Sequence, residues 1–157
     1  MPVVDKNWAH DCESPIERLL GFGMVFCCGD IDGDSFVHLH RRAEPPYECE
    51  HGIAIWPQAK IGRYRVDFLI IFAHRDLEPV RMVIECDGHD YHERTPEQAA
   101  RDRKRDREMM KQGYYVVRFT GSEIHRNPVE CIQEILGLFE SMPAVRKGQA
   151  YGAHQNH

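Results

Sequence analysis

A run of apolar β-formers, Val80, Met82, Val83 and Ile84, passes directly into Glu85, and Asp87 follows two positions later. Residues two apart on a strand point to the same face. The stretch VIECDGHDYH, residues 83–92, therefore joins a core-crossing strand to two carboxylates held side by side at its end. Like charges at that spacing repel, and burying them unpaired is costly. A fold that carries such a strand must offset the charge, with basic side chains or with a cation.

The pattern around this strand sets the rest of the fold. Ser14-Pro15-Ile16-Glu17 is a capping-box pattern, with Ser at the cap, Pro at the first helical position and Glu three residues on. It predicts a helix to about Cys27, with Gly21 and Gly23 weakening its middle. Residues 29–50, rich in Gly, Asp, His and Pro, read as an irregular insertion with one short element around 36–39. Strands over 53–60, 64–72 and 80–87 with short links predict an antiparallel meander. Thr95-Pro96-Glu97-Gln98 repeats the capping logic and opens a helix to about Gln112, with Gly113 suited to the position past its end. A strand over 114–120 follows, then a last helix capped at Asn127 with Val129, Ile132, Ile135, Leu136 and Phe139 on its apolar face. The predicted order is α-β-β-β-α-β-α, an α/β fold with a mixed four-stranded sheet flanked by helices. It forms one domain over 1–142, and the polar tail over 143–157 reads as disordered.

Composition narrows the function classes. With 157 residues, 42% apolar and 29% charged, the chain suits one ordinary globular core. No apolar run approaches the roughly 18 residues of a membrane span. The start, MPVVDKNWAHDCE, lacks the apolar stretch of a secretory signal. The cysteines contain no C-x-x-C pair and read as reduced thiols, so a cytoplasmic setting is expected. A net charge of −5 argues against an all-over basic coat but not against a local basic stripe. Oligomeric state leaves no trace in the sequence.

A third acid belongs with the first two. Asp67 interrupts the second strand, in RYRVDFLIIF, and a hairpin pairing would set it beside Glu85 and Asp87. Glu17, in the first turn of the first helix, is a fourth candidate. Three carboxylates at a sheet end suit a hard divalent cation such as Mg2+, with Mn2+ able to replace it. The cation would offset the repulsion, lower the pKa of a bound water and stabilise charge on a phosphoryl oxygen. The alternative is that each acid pairs with an arginine, and Arg63, Arg65, Arg81 and Arg118 are the candidates.

The order of elements, with Asp67 in the second strand and Glu85-Cys86-Asp87 in the third, resembles the PD-(D/E)XK nuclease superfamily. More narrowly, Gln58, then IGRYRVDF, VIECDGHDYH and RDRKRDREMMKQGYYVVRFTGSEI resemble small domains related to the very-short-patch-repair endonuclease, over residues 14–140. The resemblance implies a restriction-endonuclease-like core and a metal-dependent endonuclease hydrolysing phosphodiester bonds, usually in DNA. It implies Asp67 and Glu85 as the main metal ligands, and Glu17 as the acid that such families often place on the first helix. Asp87 stands where many members carry a lysine, and would act instead as a further metal ligand. Gln58, Lys60, His92 and Lys104 are candidates for the missing donor. Of His89 and His92, the latter fits better, because related domains carry a histidine soon after the acidic strand. A non-catalytic module that binds nucleic acid or a partner protein is the alternative.

The helix after Thr95 carries Arg101, Arg103, Lys104, Arg105, Arg107 and Lys111 among Glu97, Asp102, Asp106 and Glu108. One reading is a solvated helix laced by Arg101 and Arg105 with Asp102 and Asp106. The other is a phosphate-facing stripe, in which Arg101, Lys104, Arg105 and, from the next strand, Arg118 contact DNA, and a mixture of the two is expected because the helix starts close to the acidic loop. Tyr91 is the aromatic expected near substrate, while Trp8 and Trp56 read as packing residues. The spacing of His38, His40, Cys49 and His51 matches no zinc-ligand pattern.

Overall fold

The computed structural model describes residues 10–28, 37–40, 45–88 and 95–145. Helix α1 (Pro15–Cys28) starts where the sequence places it, and the Ser14 hydroxyl accepts the Glu17 N–H at 3.2 Å. Strands β1 (Val37–Leu39), β2 (Gly52–Ile61), β3 (Tyr64–His74) and β4 (Leu77–Asp87) follow. Then come α2 (Pro96–Lys111), β5 (Tyr114–Thr120), α3 (Gly121–Arg126) and α4 (Pro128–Ser141).

The strands form one mixed sheet in the order β1-β2-β3-β4-β5. The expected meander is present: β2 to β4 pair antiparallel, and the β2–β3 link turns at Gly62, whose φ of 57° glycine adopts freely. Strand β5 pairs parallel to β4, and α2 supplies the crossover that parallel pairing requires. Four long strands therefore match the predicted core. The short β1 adds a parallel edge, with Val37 beside Ile53, where the sequence suggested a short element.

Two differences have simple causes. Helix α3 was not expected, yet Thr120-Gly121-Ser122-Glu123 is a third capping box. The Thr120 hydroxyl accepts the Glu123 N–H at 3.2 Å, and the Glu123 carboxylate accepts the Thr120 N–H at 2.7 Å. Residues 143–145, read as the start of the tail, continue the described chain, and the Val145 carbonyl accepts the Glu78 N–H at 2.7 Å. Residues 146–157 lie outside the described residues.

Two apolar layers hold the sheet. On one face Leu20, Met24, Ile124, Ile132 and Ile135 from the helices α1, α3 and α4 meet Phe68, Ile70, Met82, Ile84 and Phe119. On the other, Met109 of α2 meets Trp56, Leu69, Ile71 and Val83. Each such fully buried side chain contributes roughly 1.5–3 kcal/mol.

The faces slip at one place. Trp56 and Ala59 lie on the same face, as do Val66 and Leu69, although residues three apart on a regular strand point to opposite faces. The residues that absorb the slip are Gln58 and Asp67, which lie between the pairs Pro57–Phe68 and Ala59–Val66. Gln58 has φ 52°, a left-handed conformation that a non-glycine side chain disfavours. The kink thus falls on two of the residues singled out for chemistry.

Candidate functional site

Glu17, Gln58, Glu85 and Asp87 are the buried polar or charged residues among the described residues. All four were sequence candidates, and Asp67 lies partly buried among them. The last β3–β4 ladder pair is Phe68 with Ile84, so the next position sets Asp67 opposite Glu85. There the Asp67 carboxylate takes the place of a backbone acceptor and receives the Cys86 N–H at 2.6 Å. Across the kink, the Gln58 amide donates to Glu17 Oε2 at 2.8 Å, and the same oxygen accepts the Glu13 N–H at 2.8 Å. The left-handed turn at Gln58 is thus accompanied by an amide aimed at α1.

Two arginines enter the site. Arg105 of α2 donates through Nη2 to Glu85 Oε1 at 2.5 Å and to the Arg65 carbonyl at 2.6 Å. Its plane lies over the Tyr64 ring, with the guanidinium carbon 5.6 Å from the ring centre. Arg118, beside Glu85 in the β4–β5 register, donates to Asp87 at 3.1 Å and to both Asp106 oxygens at 2.7 and 3.1 Å. Burial works against its charge, but Asp106 and Asp87 more than reverse that and hold its pKa above the ordinary value.

The central acids remain under strain despite these partners. Burial pushes Asp67 up to about 6; the Cys86 N–H works against this, and Glu17 adds to it. Glu85 is pushed up to about 8 by burial first and by the Asp67 charge second, with Arg105 and Arg118 only partly offsetting both. Two carboxylates therefore share a position where the ionised forms are disfavoured.

The sequence expectations divide accordingly. Asp67 and Glu85 come together, and Glu17 with Gln58 forms the adjoining α1 side. The third acid stands apart from this pair: among the described residues, no group of three His, Cys, Asp or Glu side chains is arranged as a metal site. Asp87 is drawn instead to Arg118. Of the arginines considered as acid partners, Arg118 serves, whereas Arg63 pairs with Glu108 at 2.9 Å and Arg65 with Glu13 at 2.6 Å. Arg81 sits further back on β4, beside Ile71 and Tyr114. Of the charges on α2, Arg105 bonds Glu85 and Asp106 bonds Arg118, so these two turn to the sheet. Arg101, Lys104 and Lys60 are exposed. His89, Tyr91 and His92 lie outside the described residues, as does Trp8.

Arg105 was missed as the Glu85 partner, although a signal existed. Asp102, Arg105, Asp106 and Met109 follow the i, i+3, i+4, i+7 spacing of an inner helix stripe. Only Met109 is apolar, and Arg105 and Asp106 meet polar groups of the sheet, Glu85 and Arg118.

The donor set fits a hard cation. Mg2+ takes oxygen ligands and usually binds through one or two carboxylates plus waters and substrate phosphate. Asp67 and Glu85 supply two such carboxylates, and a positive charge between them would offset the burial that raises both pKa values and the Asp67 charge that raises Glu85 further. A concavity of about 410 Å³ lies elsewhere, between Phe72, His74, Val80, Leu136, Phe139 and Met142.

Comparison with known families bears on this arrangement directly. The model of REase_MTES_1575, a restriction-endonuclease-like family, matches residues 49–138, more than half of the chain. The chain belongs to this family. The match supports a PD-(D/E)XK-type nuclease fold, and it spans Gln58, Asp67, Glu85, Asp87, Arg105 and Arg118, with α1 and Glu17 before it. A restriction-endonuclease-like family implies interaction with nucleic acid. No curated protein and no solved structure matches the chain. No helix among the described residues is long and apolar enough to cross a membrane.

Proposed function

We propose that this protein is a metal-dependent endonuclease that hydrolyses phosphodiester bonds in DNA. The observation that carries the reading is the pairing of Asp67 with Glu85 at the end of the β3–β4 ladder, both with raised pKa values, within a nuclease-type fold. Asp67 and Glu85 would hold Mg2+, or Mn2+ in its place. When bound, that ion supplies positive charge beside a phosphoryl oxygen and acidifies a water.

The chain's own residues have distinct tasks. The Cys86 N–H fixes one oxygen of Asp67 and leaves the other for a ligand. Gln58 and the Glu13 N–H hold Glu17 against α1, where its charge raises the affinity of the site for cations. Asp87 and Asp106 clamp Arg118 behind Glu85, which keeps a fixed positive charge near the scissile phosphate. Arg101 and Lys104, exposed on α2, would meet the DNA backbone. The narrower resemblance to very-short-patch-repair-like domains rests on the order of the motifs and favours DNA as the substrate.

A second reading has one observation in its favour. Glu85 and Asp87 already have arginine partners, as they would in a module that binds nucleic acid without cutting it. Plasmid nicking with Mg2+ or Mn2+ separates the two. Wild-type protein is expected to nick, and Asp67→Ala and Glu85→Ala are expected to lose activity by at least 100-fold, the scale of losing transition-state charge stabilisation. Equal nicking by all three would expose a contaminant. No nicking, with DNA binding unaffected by EDTA, would select the module.

A further inference from the structure

Arg105 is bound in an unusual way for a partly buried arginine. Both of its hydrogen bonds to fixed acceptors, Glu85 Oε1 and the Arg65 carbonyl, leave from Nη2. Its Nε is buried and has no hydrogen-bond partner. A guanidinium offers five donors in a planar fork, and its strong carboxylate pairs are usually two-pointed. Here one corner of the fork touches one carboxylate oxygen, in a site where that carboxylate lies opposite Asp67. Arg118 forms the contrast: Nε and Nη2 grip both Asp106 oxygens while Nη1 reaches Asp87. Arg118 is engaged through three nitrogens, whereas Arg105 bonds through Nη2 alone.

We propose that Arg105 competes with the divalent cation for Glu85, and that metal binding passes its guanidinium from Glu85 to a phosphate of the DNA. The inference rests on the metal-dependent nuclease reading above. Three features support it. First, both cations use the same carboxylate, and two positive charges a few ångströms apart in a partly buried site repel each other. Second, Nε has no partner to lose, and the two single bonds that Nη2 would give up, to Glu85 and to the Arg65 carbonyl, can be replaced by phosphate, which offers the planar fork two acceptors. Third, α2 carries Arg101 and Lys104 exposed on the same helix, so a backbone drawn to α2 comes within the reach of Arg105. The exchange answers the absence of a lysine at Asp87, because it delivers a mobile cation to the phosphate from another element. It also couples metal uptake to substrate: each should strengthen the other, since both remove the competitor from the same carboxylate.

The test reads metal and DNA binding separately. Mn2+ titration by calorimetry, without DNA, compares wild type with Arg105→Gln and Arg105→Lys. Removing the competing charge should tighten Mn2+ binding at least roughly fivefold in Arg105→Gln, the lower end of usual coupling. Arg105→Lys, which keeps the charge, should stay closer to wild type. For a DNA duplex, Arg105→Gln should weaken binding in Ca2+ and leave it unchanged in EDTA, where wild-type Arg105 is tied to Glu85. An arginine that merely braced the fold would instead weaken Mn2+ binding, or weaken DNA binding equally in Ca2+ and EDTA, and either result overturns the proposal. If the variants fail to fold, wild type alone decides: Mg2+ should shift the Arg105 Nε–H signal in nitrogen-15 spectra, and an unmoved signal with Mg2+ bound overturns it. Wild type that takes up no Mn2+ would instead defeat the nuclease reading.

Discussion

Replacing Glu85 with glutamine tests the electrostatics of the site without any assumption about activity. In the folded protein the Glu85 carboxyl is pushed from 4.5 up to about 8 by burial and by Asp67. An acid whose folded pKa is raised keeps its proton in the native state after the unfolded chain has released it. Across pH 4.5 to about 8 the unfolded state therefore binds fewer protons, and stability falls as pH rises. The ceiling is 1.36 kcal/mol for each pH unit in that window, about 5 kcal/mol in all; with local relaxation and water entry, a loss of roughly 2–3 kcal/mol is expected. Glutamine keeps the shape of the protonated acid and a carbonyl acceptor for Arg105, but removes the titration. It also removes the charge that faces Asp67. Urea unfolding in EDTA at pH 5, 6, 7 and 8 is the assay. Glu85→Gln should match wild type within about 1 kcal/mol at pH 5 and become progressively more stable than wild type towards pH 8. A stability difference that is flat with pH, or that turns against the variant as pH rises, would refute the reasoning. It would mean that the Arg105 pair outweighs burial and the Asp67 repulsion.

Other perturbations test the framework around the acids. Arg118→Ala leaves Asp87 and Asp106 without their shared cation, and chemical denaturation should show a loss of about 2–4 kcal/mol, slightly below the range for fully buried pairs. Gln58→Gly and Gln58→Ala both lose the amide bond to Glu17, but glycine alone relieves the left-handed backbone. The glycine variant should therefore unfold at higher urea than the alanine variant, by about 1 kcal/mol in stability. Thr120→Ala removes one half of the α3 capping box and should lower stability by about 1 kcal/mol, measurable as a lower melting temperature.

The sequence was most informative where one physical rule dominates. Capping boxes at Ser14 and Thr95 mark helix starts because short polar side chains satisfy orphan N–H groups. Alternating apolar residues with short links mark the meander because a strand has period two. Asp67, Glu85 and Asp87 stand out because an acid in an apolar strand needs a reason. The charge partners were harder to read. Arg105 and Glu85 are twenty residues apart and meet only because α2 crosses back over the sheet. Local spacing instead favours pairs within the helix. Nor did alternation reveal that Asp87 turns to Arg118 while Asp67 and Glu85 share the strained position, because Arg118 reaches Asp87 from β5, 31 residues away; the slip at Gln58 and Asp67 was hidden as well. Such a slip leaves no mark in composition, although a left-handed glutamine in mid-strand is the sort of local strain that functional sites retain. The third capping box, at Thr120, is written in the sequence too, but its cap is also the last residue of β5, so the strand pattern masks it.

Diffraction from crystals soaked in Mn2+ and recorded at the manganese edge tests the central claim most directly. The expected result is an anomalous peak between the carboxylates of Asp67 and Glu85, with the Arg105 guanidinium moved off Glu85. A saturating soak with no peak there, and Arg105 still on Glu85, would contradict the account.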